Sequence, residues 1–155
     1  WQITAVGLED ASFLEDQYPG LVFVKADACN LPFIEKEFDF AFCSAVIEHV
    51  GSRQRQKQLI LEAVRVAKVV MISTPNKWYP IEFHTLTPFL HWLPPEIFRL
   101  FLKMTGRKFF SSESNLNLLS AHCIESMCQY ERLNFSAHHK KLFGITSNLV
   151  YVISD

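Results

Sequence analysis

The hydrophobic and polar positions of the chain switch between a period of two and a period near 3.6, and the switches mark its elements. Ile3–Val6 is a short apolar run with β-branched residues and reads as a strand. Asp10 then caps a short helix from Ala11 to Gln17, closed by Tyr18-Pro19-Gly20. Leu21–Val24 is a second strand, and Asn30-Leu31-Pro32-Phe33 is a loop. Phe38–Ser44 is almost wholly apolar after Asp39, the pattern of a strand buried on both faces of a parallel sheet. Ser52 is a good N-cap for a helix over 53–66. Leu59, Ile60, Ala63, Val64 and Ala67 follow helical spacing there, with Arg53, Arg55, Gln56 and Lys57 leading the polar side. Val69–Ile72 is the next buried strand. Strands and helices in this alternation predict an α/β domain.

The second half changes character. The stretch 78–95 is aromatic and proline-rich, with no helical period. A helix over 96–104 follows, with Pro95 in its first turn and Gly106 at its end. Ser120 caps a helix to Gln129. Leu133–Ala137 and Asn148–Ile153 read as two strands joined by a turn around 141–144, an antiparallel hairpin.

Composition narrows the picture. At 155 residues, 49% hydrophobic and 14% aromatic, the chain has the length of one domain and is too apolar for a disordered segment. Fifteen basic against 16 acidic residues give a formal charge of −1, so no field draws in nucleic acid and none is expected as a partner. Cys29, Cys43, Cys123 and Cys128 form no CxxC pair and read as free thiols, which points to a reducing, cytoplasmic location. His84/His91 and His138/His139 lack zinc-ligand spacing, so no metal site is expected. No apolar run reaches the ~20 residues of a membrane span, and no signal peptide is visible. The sequence opens at Trp1 and almost at once with a strand, which suggests an upstream part.

Two stretches resemble the S-adenosylmethionine-dependent methyltransferases of the Rossmann-like class I superfamily, small-molecule type. Residues 25–33, Lys-Ala-Asp-Ala-Cys-Asn-Leu-Pro-Phe, match that family's strand end: an acidic residue, a small residue, then Leu-Pro-Phe. Residues 37–50 match its Phe-Asp strand followed by Glu48-His49-Val50. The order, and the later helix with Glu62-Ala63-Val64-Arg65-Val66, agree. The resemblance implies a sheet with helices on both faces and a C-terminal antiparallel hairpin. It implies one domain over 1–155, with 74–118 as a substrate-side insertion. It implies S-adenosylmethionine as cofactor, S-adenosylhomocysteine as product, and a small-molecule methyl acceptor.

The resemblance also assigns residues. Asp27 accepts from the adenine amino group beside the Ala28 backbone, or else simply caps a turn. Ser44, Ala45 and Val46 let the methionine part approach the backbone, or else pack strand on helix. Ligands of open α/β sheets bind at these carboxyl ends of the strands. His49 either orients a substrate and accepts a proton or is a structural histidine. Glu82 and His84, alternate residues of an extended segment, share a face; such a pair raises the imidazole pKa and suits a base, or else locks a loop. His84 and then His49 are the candidate catalytic groups. Phe83, Leu86, Phe89, Leu90, Trp92 and Leu93 line an apolar acceptor pocket or belong to the core.

The sequence departs from the family in one respect. Only 5 glycines are present and none forms the Gly-x-Gly-x-Gly loop after a first strand. The position of the ribose-binding acid is Gly7, with Glu9 and Asp10 just beyond; Glu9 either serves with a small shift or is exposed and incidental. In the family's strand order, 3-2-1-4-5-7-6, the lacking strand is central. Three outcomes are expected: the Ile3 and Phe38 strands pair directly, a second copy fills the gap in a homodimer, or the chain is part of a longer protein. The competing functional readings are a methyltransferase-like interaction module without cofactor binding, and another nucleotide-binding α/β protein.

Overall fold

In the computed structural model, which describes residues 2–154, the alternation of strand and helix is realised as two parallel units. The first is β1 (Ile3–Gly7), α1 (Phe13–Gln17) and β2 (Leu21–Lys25), with Ile3 opposite Leu21 and Gly7 opposite Lys25. The second is β3 (Phe38–Ser44), α2 (Arg53–Val66) and β4 (Ala67–Pro75), with Phe40 opposite Val69 and Ser44 opposite Ser73. Next comes a two-stranded ribbon, β5 (Ile81–Glu82) and β6 (Thr87–Pro88), and α3 (Pro95–Met104). The chain ends with α4 (Ala121–Tyr130), β7 (Asn134–Ala137), β8 (Lys140–Leu142) and β9 (Ile145–Ser154). β9 runs antiparallel to β4 and β7, and β8 folds back on it, so the expected C-terminal hairpin gains a short third strand.

The strand order is β1-β2 in one sheet and β3-β4-β9-β7 in the other. These are the two runs, 3-2 and 4-5-7-6, that the resemblance implies once its central strand is set aside. Direct pairing of β1 with β3 does not occur: among the described residues β1 pairs only with β2, and β3 only with β4.

Both core-forming helices follow from their apolar stripes. Leu59, Ile60, Ala63 and Val64 of α2, and Ile124 and Cys128 of α4, pack on Val70 and Ile72 of β4 and Leu149, Tyr151 and Ile153 of β9. Each such aliphatic side chain contributes roughly 1.5–3 kcal/mol on full burial. Phe98, Leu102 and Leu116 form a separate small cluster with Leu90, Phe101, Phe110 and Leu118.

Two expectations are corrected. β3 is not buried on both faces: Ala41 and Cys43 pack against the core, but Phe42 is 61% exposed and Phe40 is exposed as well. An apolar strand pattern records what a face tolerates, not whether another layer covers it. Gln56 does not belong to the polar side of α2. It is 0% exposed, accepts from Arg53 at 2.6 Å and donates to the Asn117 carbonyl at 2.7 Å. Ser52 caps α2 as expected, accepting from the Arg55 N–H at 3.4 Å. Ser120 occupies the cap position of α4, but its hydroxyl turns to Cys123 Sγ at 3.3 Å.

Candidate active site

The carboxyl ends of β2, β3 and β4 carry most of the residues singled out from sequence. Just past β2, Asp27 closes its own turn. Its Oδ1 accepts from the Cys29 N–H at 2.9 Å and its Oδ2 from Arg55 at 2.7 Å. The Arg55 guanidinium, and next the Cys29 N–H, hold its carboxyl below the usual carboxylate range. Both readings of Asp27 are compatible with this geometry. The turn uses part of the carboxylate, and the side chain stays 34% exposed with lone pairs to spare. Ala28 is half-buried against the main core.

The Leu31-Pro32-Phe33 loop that follows is fixed by α2, a role sequence reasoning missed. Glu62 accepts from the Leu31 N–H at 2.9 Å. Arg65 donates to the Leu31 and Phe33 carbonyls at 3.0 and 2.8 Å and to Glu62 itself. The Glu–Arg pair three apart on α2 was the available signal, but its target could not be read from spacing.

At the end of β3, Ser44 shares a hydrogen bond with Ser73 of β4 at 2.8 Å. Ala45 adopts a left-handed φ of 52°, and its N–H donates to the Ser73 carbonyl at 2.9 Å. Non-glycine residues rarely take this conformation, and such strain concentrates at functional sites. Ser44, Ala45 and Val46 are all exposed, so the backbone here is open to a ligand. Glu9 lies exposed in the bend after β1.

The acceptor side is assembled from distant segments. A single 3-10 turn, Ile47–His49, follows Val46. Glu48 on it is 0% exposed and accepts at Oε2 from the Thr74 hydroxyl at 2.8 Å. His49 Nδ1 meets the Asn115 carbonyl at 2.6 Å. Asn117 clamps the turn, its N–H donating to the Glu48 carbonyl at 2.8 Å and its side chain to the Gly51 carbonyl at 2.8 Å. Gly51 itself needs its φ of +97° to lead from this turn into α2.

His84 completes the group. Its Nδ1 lies 2.7 Å from Glu82 Oε1 and its Nε2 lies 3.0 Å from His49 Nε2. The expected Glu82–His84 pair is therefore present, but not through an extended segment. Residues 83–86 form a turn in which Glu82 also accepts from the His84 and Thr85 N–H groups, at 3.0 and 2.6 Å. The Glu82 hydrogen bond, opposed by burial, raises the His84 pKa. Burial pushes the Glu82 carboxyl up, but the hydrogen bonds of His84 and Thr85 outweigh it and the net direction is down. Glu48, His49 and His84 bring one ligand atom each to within 4.8 Å of one another.

The aromatic residues of this segment lie mostly at the surface. Phe83, Leu86, Phe89, Trp92 and Leu93 are exposed rather than lining an enclosed cavity, and Leu90 packs on the small cluster. Leu93 of this set borders a cleft of about 60 Å³, together with Arg53, Lys77, His91 and Phe98.

Residues 3–69 match the sequence model of a methyltransferase domain family. No curated protein matches the chain in sequence. Its fold is shared by solved structures of low identity. One is an S-adenosylmethionine-dependent methyltransferase from Methanosarcina mazei, with TM-score 0.61 and 16% identity over 98% of this chain and 80% of that one. Another is an S-adenosylmethionine-dependent methyltransferase from Mesorhizobium loti, with TM-score 0.64 and 10% identity over 98% and 79%. The LepI complex with S-adenosylmethionine aligns with TM-score 0.60 and 9% identity over 99% of this chain but 36% of LepI. The chain thus has the Rossmann-like fold of these structures. Among the described residues no helix is long and apolar enough to cross a membrane.

Proposed function

We propose that the protein transfers a methyl group from S-adenosylmethionine to a small-molecule acceptor at the carboxyl ends of β2–β4. The observation that carries this reading is the continuity of one short segment. Ser44–Val46, the strand-end backbone open to a cofactor, runs directly into Glu48 and His49, which meet His84 from the segment beyond β4. Cofactor side and acceptor side are thereby held a few residues apart by one rigid turn.

The residues present fit the adenine end of the cofactor. Asp27 is fixed by Arg55 and the Cys29 N–H yet keeps acceptor capacity toward solvent. Ala28 and Ala45 offer backbone without bulky side chains. In this reading Glu9, exposed in the bend just past β1, serves the ribose, while Asp10 beside it accepts from the Ser12 N–H at 2.9 Å. When bound, the cofactor supplies an electrophilic methyl on a sulfonium for in-line attack.

The chain's own contribution is positioning and proton handling. Holding the acceptor against the methyl is worth roughly 7–11 kcal/mol. Where the acceptor loses a proton, a placed base adds roughly 10²–10⁴-fold. Glu82 holds His84 at Nδ1, so Nε2 is the atom that faces the reaction, with His49 beside it. The segment 74–118, with its exposed aromatic residues, is the acceptor-binding insertion of this reading.

The test is release of S-adenosylhomocysteine with a panel of small hydroxyl and amine acceptors. His84→Ala is expected to lower kcat by roughly 10²-fold or more with the KM for S-adenosylmethionine unchanged. An unchanged kcat removes His84 from the chemistry. The second reading, a module without cofactor binding, is favoured by the open edges of β1 and β3. It predicts no S-adenosylhomocysteine binding at all.

A further inference from the structure

Two imidazole rings meet nitrogen to nitrogen beside a buried carboxylate oxygen that has no partner. His49 Nε2 and His84 Nε2 are 3.0 Å apart. The opposite ring nitrogens fix the tautomers. His84 Nδ1 lies 2.7 Å from the Glu82 carboxylate, and His49 Nδ1 lies 2.6 Å from the Asn115 carbonyl. Neither oxygen has a hydrogen to give, so each Nδ1 is the donor. Both Nε2 atoms then turn lone pairs toward the same point. Lone pairs at that distance repel, and something positive belongs between them: a proton or a metal cation.

Glu48 distinguishes the two. Its side chain is 0% exposed, and Oε1 lies 3.8 Å from His84 Nε2. Among the described residues that oxygen has no hydrogen-bond partner, although Oε2 is satisfied by Thr74. A single proton shared by the two nitrogens leaves it orphaned in the interior, which proteins avoid. A cation satisfies all three atoms at once.

We propose that Glu48, His49 and His84 form a binding site for one divalent transition-metal cation, with zinc preferred. Ligands about 2.0–2.1 Å from a tetrahedral zinc stand roughly 3.3 Å apart. The separations from His84 Nε2, 3.0 and 3.8 Å, bracket that value, and all three ligand atoms lie within 4.8 Å of one another. Two imidazoles and one carboxylate select zinc-like ions over magnesium or calcium, which prefer all-oxygen sites. The outer partners expected of such a site are present: a carboxylate on His84 Nδ1, a carbonyl on His49 Nδ1, and a hydroxyl on the second oxygen of Glu48. His84 lies 35 residues beyond His49 along the chain, which is why no spacing rule signals the set.

Three protein ligands leave a fourth position open, as catalytic zinc sites do. In the methyl-transfer reading, on which only this clause rests, an acceptor oxygen takes that position and loses its proton to solvent because coordination acidifies it.

The test uses the chelator-treated protein. Zinc chloride is titrated calorimetrically, and cobalt(II) is added separately to read the visible bands of four-coordinate cobalt. We expect one ion per chain with Kd at or below about 1 μM. His84→Gln and Glu48→Gln should each weaken it by roughly 100-fold or more, beyond the ~10–100-fold typical of outer-shell changes. His138→Gln, far along the chain, should leave it unchanged, and circular dichroism should show each variant folded. The cobalt spectrum of the unaltered protein needs no variant. Wild-type binding weaker than about 1 mM, or binding that survives both His84→Gln and Glu48→Gln, overturns the site and leaves a shared proton only. A parallel titration with S-adenosylhomocysteine separates this failure from failure of the methyltransferase reading.

Discussion

Replacing Glu62 by alanine removes the carboxylate that ties α2 to the loop after Asp27. Glu62 is 12% exposed and receives three hydrogen bonds, from the Leu31 N–H and from two Arg65 nitrogens. The Arg65 half is more than a third open to water, so its ion pair is discounted. The Leu31 N–H is part-buried and bonded to a charge, and losing that bond costs roughly 1.5–3 kcal/mol. We therefore expect a loss of about 2 kcal/mol, or about 4–8 °C in Tm for a domain of this size. The pH dependence is set by direction. The Arg65 hydrogen bond, with burial opposing and the Leu31 N–H assisting, holds the folded pKa of Glu62 below its ordinary value. The contribution is then fully present above the unfolded value of about 4.3 and is lost as pH falls through the lower folded value. Urea midpoints of wild type and Glu62→Ala should differ by a constant amount near neutrality and converge only below about pH 4. Glu62→Gln should recover part of the loss, since its amide oxygen still accepts from Leu31. A neutral-pH difference under about 0.5 kcal/mol, within the scatter of ordinary surface changes, would refute the clamp. So would a difference that widens on acidification.

Other consequences are simpler. Ala45→Gly should raise stability by up to about 1 kcal/mol, because glycine takes the left-handed φ without a Cβ clash; a lower urea midpoint would mean that Ala45 is not strained. Burial, with Glu48 nearby, pushes the Cys43 thiol up to about 12, and burial pushes Cys128 up to about 11. Cys29 is raised by burial as well. At Cys123 burial is outweighed by the Ser120 hydrogen bonds, and the net direction is down. Iodoacetamide at mildly alkaline pH should therefore label Cys123 first, and mass mapping that finds Cys43 labelled first would contradict this.

Local chemistry made much of the fold legible. Ser52 before a run of apolar residues at helical spacing located α2 at both ends, and Pro95 with Gly106 bracketed α3. The Glu82–His84 pair was legible because two residues of separation keeps partners close whether the backbone is extended or turned. What failed was whatever depended on a distant neighbour. Phe42 reads as core until the layer above it is found lacking, and Gln56 reads as surface until Asn117 arrives to bond it. His49 meets His84 across 35 residues of chain, and the hold of Asn115 and Asn117 on that turn runs largely through backbone carbonyls and N–H groups, which leave no mark in a sequence.

Calorimetric titration of S-adenosylhomocysteine tests the central claim most directly, with Asp27→Ala as the variant. Asp39→Ala serves as control, since its pair with Lys68 is exposed and lies at the start of β3. We predict saturable binding that Asp27→Ala weakens by roughly 10–100-fold, the loss of one charge-assisted hydrogen bond, and that Asp39→Ala leaves intact. Absence of binding, or equal affinity in wild type and Asp27→Ala, would contradict the cofactor site.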